Sequence, residues 1–293
     1  MYRLFIITSA VLLLFAVSCV EAPQAVEVSC SEMTFAVTGD AETKGLVTGT
    51  ALVDAATGNR PLVISSYLTP QSGTPGNYFV GETFTKAADG YWHHDPALYW
   101  PMEGRLDILT YSVSTPFQEA DVTWGPASAA SSVRLVVDES RTQDDVLYGS
   151  AWRDGFGATT SLSMKHSQAW IDVRVKKASG VTKVVKVISV VLKDTYIGGD
   201  LTIENNYGVP RAEWNFRRFT ARDVVVDDLS GVYGAALNTT ERSVGMLVPV
   251  QEQKAIVVTY TVDGVQKTAE RALPHTSWLA GQQYVYSFVF NPS

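Results

Sequence analysis

Apolar and polar residues alternate with a period of two through most of this chain. The pattern is clearest in Ala169 to Lys176 and in Lys183 to Leu192. That period belongs to a β-strand with one buried face, and no stretch keeps helical spacing for three turns. The sequence therefore predicts an all-β fold. Further strands are predicted at Met33 to Thr38, Leu46 to Asp54, Leu62 to Tyr67, Leu106 to Ser112, Val133 to Val137, Ser161 to Met164, Val244 to Val250 and Tyr284 to Phe290.

One turn is predicted in detail. Asp263-Gly264 separates two alternating runs, Ala255 to Val262 and Val265 to Leu273. Aspartate and glycine both tolerate positive φ, which a two-residue type I′ hairpin requires. We therefore expect a β-hairpin at this dipeptide.

The N-terminus carries the pattern of an export signal. Arg3 is followed by an apolar run from Leu4 to Val17 and then by Cys19. The run is too short to stay as a membrane span, and small residues before a cysteine are typical of lipoprotein signals. We expect residues 1–18 to be removed and Cys19 to carry acyl chains that hold the protein at a membrane surface. The alternative is ordinary signal cleavage after Ala22.

The strand pattern breaks near the middle of the chain, between Asp144 and Thr160. The chain after the signal is long enough for two β-sandwiches of roughly 130 residues each, which is a normal size for that architecture. We expect an N-terminal β-sandwich domain in residues 19–157 and a C-terminal β-sandwich domain in residues 158–293.

Composition narrows the classes of partner. The formal net charge is −7, and an acidic surface attracts neither nucleic acid nor anionic lipid. The chain has two cysteines, so if Cys19 carries lipid then Cys30 is alone and a disulfide framework is excluded. Stability must therefore come from burial of the hydrophobic residues, which make up 46% of the chain.

No pattern of side chains points to catalysis or to a cofactor. His93-His94-Asp95 looks like a set of metal ligands, but adjacent residues of an extended segment point to opposite sides. Asp144-Asp145 and Asp227-Asp228 could serve acid–base chemistry only if the fold brought them together, and they are typical of solvated turns. No nucleophile motif or phosphate-binding glycine loop occurs. We predict a protein that is not an enzyme and that holds no metal or cofactor.

Seven tryptophans in a β-rich exported chain raise the question of carbohydrate binding. An exposed indole face stacks on a sugar ring, whereas a buried indole serves the core. Trp100, Trp124 and Trp152 lie near predicted turns, and both roles stay open for each of them. They are the candidate ligand-stacking aromatics.

Five motifs occur in series along the chain. They are Glu42-Thr43-Lys44-Gly45, Tyr99-Trp100-Pro101 followed by Leu106 to Tyr111, Asp144 to Gly149, Leu162 to Ala169, and Trp278 to Tyr286. Each motif alone is weakly specific. Together, their order and spacing resemble the landmark series of Bacteroidales fimbrillin-like lipoproteins over nearly the whole chain after the signal.

The resemblance implies two transthyretin-like β-sandwich domains and a fimbrial (pilus) protein, lipid-anchored at the outer membrane or carried in a fimbrium. Proteins of this family are cut by a trypsin-like protease after a basic residue in an early loop and polymerise by strand exchange. Carried onto this sequence, the removable strand is Met33 to Thr38, and the cut lies between Lys44 and Gly45. Other fimbrial subunits would then be partners by β-strand addition to the opened groove.

The end of the chain bears on its position in such a polymer. Shaft subunits of the family carry a donor strand after the last domain strand, but here only Asn291-Pro292-Ser293 follows Phe290. We therefore expect this protein to lie at one end of the fimbrial polymer, as its tip or its anchor. The alternative is a stand-alone surface lipoprotein that binds a glycan through exposed aromatics, and a surface protein of a host or bacterium is a further candidate partner.

Overall fold

The computed structural model describes residues 31–39, 60–125, 132–141, 144–154, 159–206, 208–228 and 231–292. Within these ranges the regular structure is β-strand, apart from short 3-10 turns at Glu119–Asp121 and Glu139–Arg141, so the all-β prediction is confirmed. No helix of the described residues has the length and apolarity needed to cross a membrane. The strands of the first half are β1 (Phe35–Gly39), β2 (Leu62–Thr69), β3 (Gly76–Lys86), β4 (Trp92–His93), β5 (Arg105–Ser112), β6 (Val122–Trp124), β7 (Ser132–Val137), β8 (Leu147–Asp154) and β9 (Thr160–His166).

The second half continues in the same way, with strands separated by short turns. Its strands are β10 (Gln168–Lys177), β11 (Val185–Thr195), β12 (Gly199–Asn206), β13 (Val209–Asn215), β14 (Arg222–Val225), β15 (Arg242–Pro249), β16 (Gln251–Glu252), β17 (Ala255–Val262), β18 (Val265–Ala272), β19 (Ser277–Trp278) and β20 (Gln283–Phe290).

The first half builds a closed barrel with the strand order β1-β4-β3-β2-β5-β8-β9. Strand alternation sends every second side chain inward, and these residues form an apolar core. Ile64, Phe84, Ile108 and Leu162 in this core are 0% exposed. The alternation seen in the sequence thus marks the barrel interior.

A second sheet, β13-β12-β7-β6, covers part of the outer face of the barrel. Leu109 and Tyr111 of β5 are buried against Leu135 of β7 and Leu201 of β12. β12 and β13 come from the second half of the chain, and β12 pairs with β7 in antiparallel register. This sheet therefore joins residues that are distant in sequence.

The remaining strands form a sandwich. The sheet β15-β10-β20 packs on the sheet β14-β11-β17-β18 around a core that includes Ile171, Val190 and Val258, all 0% exposed. β10 and β20 run parallel. Only Ser167 separates β9 of the barrel from β10 of the sandwich, and the indole N–H of Trp214 donates to the Ser167 carbonyl at 2.8 Å. The boundary expected between residues 157 and 158 lies outside the described residues, and the division into two domains stays a prediction.

The predicted hairpin is confirmed. β17 and β18 pair in antiparallel register up to Val262 opposite Val265. The two residues between them have positive φ, 51° for Asp263 and 86° for Gly264, as the type I′ geometry requires. The other predicted strands within the described residues also form, and Leu46 to Asp54 lies outside those residues.

The expected break in the strand pattern between Asp144 and Thr160 is wrong over residues 147–154, because these form β8 in the barrel wall. The first four residues of β8 are all buried, so apolar and polar positions do not alternate there. Gly149 is required by close packing, since a Cβ atom on it would lie 2.8 Å from the Met164 sulfur. Burial on both faces therefore concealed this strand.

Candidate functional site

β1 is the strand that closes the barrel. It pairs in parallel with β9 along its whole length, beginning at Phe35 opposite Thr160. On its other side it meets β4, where Phe35 lies opposite Trp92. Removal of β1 would therefore open the barrel and leave one edge of β9 unpaired.

β1 places large apolar side chains inside the barrel. Met33, just before the strand, and Phe35 within it are both 0% exposed. The Phe35 ring lies edge to face with Phe84 at 5.1 Å between centroids, and 5.9 Å from Trp100. Burial of a side chain of this size stabilises a fold by about 1.5–3 kcal/mol. The groove that β1 fills is apolar and accepts side chains two residues apart.

The segment ahead of β1 is tied to the barrel by main-chain hydrogen bonds. The Met33 N–H donates to the Leu98 carbonyl at 2.7 Å, and the Trp100 N–H donates to the Ser31 carbonyl at 3.1 Å. Glu32 forms an isolated antiparallel bridge with Tyr99. These bonds extend the strand-like pairing toward the N-terminus.

A histidine links the same segment to β4. His93 Nδ1 lies 2.8 Å from the carboxylate of Glu32, and its Nε2 lies 2.9 Å from that of Asp89. The hydrogen bond to Glu32 raises the pKa of His93, and Asp89 acts in the same direction. The pKa of Asp89 is lowered, first by the hydrogen bond from the Tyr91 N–H and also by His93. A protonated His93 therefore donates to both carboxylates at once.

The predicted processing and lipidation residues, Lys44, Gly45 and Cys19, lie outside the described residues and stay predictions. The last residue of β1, Gly39, is five positions before Lys44 in the sequence. A cut after Lys44 would thus separate β1 covalently from the rest of the barrel.

The candidate ligand-stacking tryptophans lie in three different environments. Trp100 is 2% exposed inside the barrel, with the Arg153 guanidinium 4.9 Å from its ring centroid. Trp124 is half-buried between the barrel and the second sheet, 6.0 Å from the Tyr111 ring. Trp152, on β8, is 52% exposed. Of the three, Trp152 presents an indole to solvent, and a ligand-binding role for any of them stays a prediction.

The two adjacent histidines bind different carboxylates. His94 Nε2 lies 2.9 Å from Glu82, whereas His93 is held by Glu32 and Asp89. In the part of the chain that the structure describes, no three His, Cys, Asp or Glu side chains converge as metal ligands do.

The adjacent acids Asp144 and Asp145 lie in different environments. Asp144 accepts hydrogen bonds from the main-chain N–H groups of Ser114 and Thr115, as expected for a turn. The expectation that Asp145 is solvated is wrong, because it is 4% exposed and its carboxylate lies 2.6 Å from His166 Nδ1. The pairing of β8 with β9 brings these two side chains together beneath the surface, where a substrate has no access.

A family model provides the decisive comparison. The model described as fimbrillin-like matches residues 49–293 of this chain. The chain belongs to the fimbrillin-like family. The predicted family resemblance is thereby confirmed. No curated protein matches the sequence.

Solved structures share the fimbrillin-like fold at low sequence identity. A candidate cell adhesion protein from Bacteroides ovatus matches with a TM-score of 0.56 and 11% identity, over 89% of this chain and 93% of that protein. A candidate cell adhesion protein from Bacteroides uniformis matches with a TM-score of 0.51 and 14% identity, over 88% of this chain and 93% of that one. At these identities the likeness shows the fold alone.

The sequence pointed to the segment of β1 but not to its surroundings. Its parallel pairing with β9 joins residues about 125 positions apart, for which the sequence carries no local signal. The bond between Glu32 and His93 was missed for the same reason. An acid next to a predicted strand and a histidine far along the chain become partners only after the barrel closes.

Proposed function

We propose that this protein is a non-enzymatic fimbrial subunit or adhesin, displayed at the outer membrane through a lipid on Cys19 and joined to other fimbrial subunits by β-strand addition. The observation that supports it most directly is the position of β1, which closes the barrel and fills an apolar groove. Family membership supports the fimbrial context.

Strand addition follows from the geometry of the barrel once β1 leaves. The free edge of β9 presents unpaired N–H and C=O groups, and an incoming strand satisfies them in register. Met33, Phe35 and Val37 point inward at alternate positions, about 6.6 Å apart along a strand. A donor strand with large apolar residues at that spacing fills the same pockets.

Limited proteolysis tests the first step. Trypsin under native conditions should cut wild-type protein between Lys44 and Gly45, because the sequence predicts a loop there and loops are the usual sites of nicking. N-terminal sequencing should find a dominant early product that begins at Gly45. Lys44→Gln should remove this product and leave the rest of the digestion pattern unchanged. Early cuts spread through the strands instead would contradict the assignment.

Peptide binding tests the groove itself. A fluorescent peptide with the sequence of residues 31–39 is titrated with the cut protein. The peptide should displace the cut N-terminal fragment, and its fluorescence anisotropy should rise as it binds. The same peptide with Phe35→Asp should not bind, because a carboxylate would be buried among Phe84 and Trp100. Equal binding of the two peptides, or binding to uncut protein, would rule out strand addition at this groove.

The position within a fimbrium is a separate part of the proposal. If the protein occupies one end of the fimbrial polymer, the cut protein should cap or seed polymers of a processed shaft subunit and should not form filaments alone. Ladders on unboiled gels and electron microscopy of the mixture measure this. Long filaments from the cut protein alone would exclude the end position and leave the subunit role in place.

A second candidate function is favoured by the exposed Trp152. A stand-alone surface lipoprotein that binds glycan needs an accessible aromatic platform but no removable strand. Absence of any processing at Lys44 on intact cells, together with glycan binding, would favour this alternative.

A further inference from the structure

The outer face of the barrel is only partly covered by the second sheet. Along β5, Leu109 and Tyr111 are buried under that sheet, while the side chains of Arg105 and Asp107 are 34% and 13% exposed. Along β8, Tyr148 is buried, whereas Trp152 and Asp154 are exposed. Strand alternation places these residues on one face with their counterparts in β2. We call this region the open face, and its residues are Tyr67, Thr69, Arg105, Asp107, Trp152 and Asp154.

The strand register arranges the open face in two rows. Tyr67 lies opposite Asp107, and Asp107 lies opposite Trp152, so an acid stands between two aromatic residues. Adjacent strands are about 4.8 Å apart, so the backbones at Tyr67 and Trp152 are separated by about 10 Å. In the second row Arg105 stands between Thr69 and Asp154. Aromatic surfaces thus flank a strip of hydrogen-bonding groups.

Trp152 is held in position by the turn between β12 and β13. A Cβ atom on Gly208 would lie 2.2 Å from Trp152 Cδ1, so the turn backbone packs directly against the five-membered ring of the indole. Asn205 anchors this turn, since its side chain accepts from the Gly208 N–H at 2.7 Å and donates to the Ile108 carbonyl at 3.2 Å. An exposed aromatic whose orientation is fixed in advance binds a ligand with a smaller entropic cost.

A cleft adjoins the second row. It has a volume of about 310 Å³, and its lining includes Thr69, Gln71, Glu103, Arg105 and Asp154. This volume is at the lower end of the range usual for small-molecule sites, roughly 300–1,000 Å³. Gly104 gives the cleft a close-packed wall, because a Cβ atom there would lie 2.6 Å from the Thr69 carbonyl oxygen.

The charges of the region select among ligands. Glu103, Asp107 and Asp154 are acidic, and Arg105 donates to Asp107 at 3.0 Å. An anionic sugar would meet an excess of negative charge, which disfavours sialylated or uronic acid ligands. Carboxylates and a guanidinium form hydrogen bonds with the hydroxyl groups of a neutral sugar. The neighbouring indole stacks on the apolar face of the sugar ring.

We propose that the open face and its cleft form a binding site for a neutral oligosaccharide, with one sugar ring stacked on Trp152 and the hydroxyl groups bound by Asp107, Arg105 and Asp154. The inference rests on the adhesive role proposed above and names its ligand class. Tyr67 bounds the site on the opposite side. The site lies outside the barrel, whereas the groove that β1 fills lies in the barrel wall.

A glycan array of neutral gluco-, galacto- and manno-oligosaccharides with matched sialylated forms tests the class of ligand. The full exported chain should bind neutral members and not their sialylated counterparts. The strongest neutral glycan is then titrated by calorimetry. Trp152→Ala should weaken its binding at least about tenfold, because loss of a stacking surface of this size costs more than about 1.4 kcal/mol. Trp152→Phe, which keeps a ring, should weaken it less.

Tyr91→Ala is the matched control. Tyr91 is an aromatic residue just before β4, away from the open face, and it is 42% exposed. This substitution should leave glycan affinity unchanged, and circular dichroism should show that all variants are folded. Absence of binding to any neutral glycan at millimolar concentration would overturn the inference, and so would equal binding by wild type and Trp152→Ala. The peptide assay at the β1 groove separates the two proposals, because Trp152→Ala should leave peptide binding intact.

Discussion

His93 couples a proton to the segment that precedes β1. Its ring lies between the carboxylates of Glu32 and Asp89, and the bond to Glu32 raises its pKa above the ordinary value of 6.5. A raised pKa in the folded state means that folding favours the protonated form. The stabilisation is fully present below about pH 6.5 and is lost as the pH rises through the raised pKa.

We therefore expect His93→Gln to destabilise the protein more at acidic than at alkaline pH. The difference from wild type should be largest near pH 5.5 and close to zero near pH 8.5, and it should stay below about 1 kcal/mol because the pair is partly exposed. Urea unfolding at a series of pH values measures it. Glu32→Gln should reproduce the trend, and a difference that does not vary with pH would contradict it.

At Gly264, the hairpin between β17 and β18 depends on backbone conformation and not on side-chain space. Gly264 has a φ of 86°, and a Cβ atom there would meet no atom within 4 Å. Asp263, at φ 51°, accepts a hydrogen bond from the Val184 N–H at 2.9 Å, which ties the turn to the start of β11. Strain at positive φ is therefore the main consequence of a side chain at Gly264.

We expect Gly264→Ala to lower the free energy of unfolding by about 1–2 kcal/mol, the cost of left-handed backbone for a residue with a Cβ atom. Chemical denaturation measures the change. Asp263→Asn is the matched control, since asparagine suits a type I′ turn and keeps the acceptor oxygen, and it should be nearly neutral. A neutral effect of Gly264→Ala would mean that the turn relaxes to another geometry.

The barrel and the sandwich exchange elements along the chain. β9 completes the barrel although it follows residue 158, and the β12–β13 hairpin extends the sheet that covers the barrel. Tyr196, just after β11, stacks on Phe216, just after β13, with 4.3 Å between ring centroids. Gln251 exchanges two hydrogen bonds with the backbone of Tyr196, at 2.8 and 2.7 Å. The two halves of the chain thus share structure.

We expect that residues 19–157 and 158–293, expressed separately, do not unfold cooperatively. The first fragment lacks β9 and the hairpin that buries Leu109 and Leu135, and its sheet edges are left unpaired. Mixing the fragments should restore cooperative thermal unfolding, as followed by circular dichroism. A sharp transition for residues 19–157 alone would show that this part folds independently.

Much of the fold could be predicted from the sequence, and the candidate sites could be predicted in part. The β17–β18 hairpin was predicted to the residue, because turn chemistry and alternation are local. Several strands were missed, among them β3, β8, β12 and β13. The first four residues of β8 are all buried, and β13 is a largely exposed strand that contains Pro210. Trp152 was identified as a candidate without its partners in the neighbouring strands.

The sequence by itself determined the all-β class, the inward residues of most strands and the family, because period-two alternation and short motifs depend on neighbouring residues. The tertiary structure decided that β1 closes the barrel against β9, that Asp145 is buried with His166, and that Trp152 shares a face with Asp107. The physical reason is that each of these contacts depends on the register between paired strands, which neighbouring residues in the sequence do not fix. Many registers satisfy the same alternation, and only the packing of the complete barrel selects one of them.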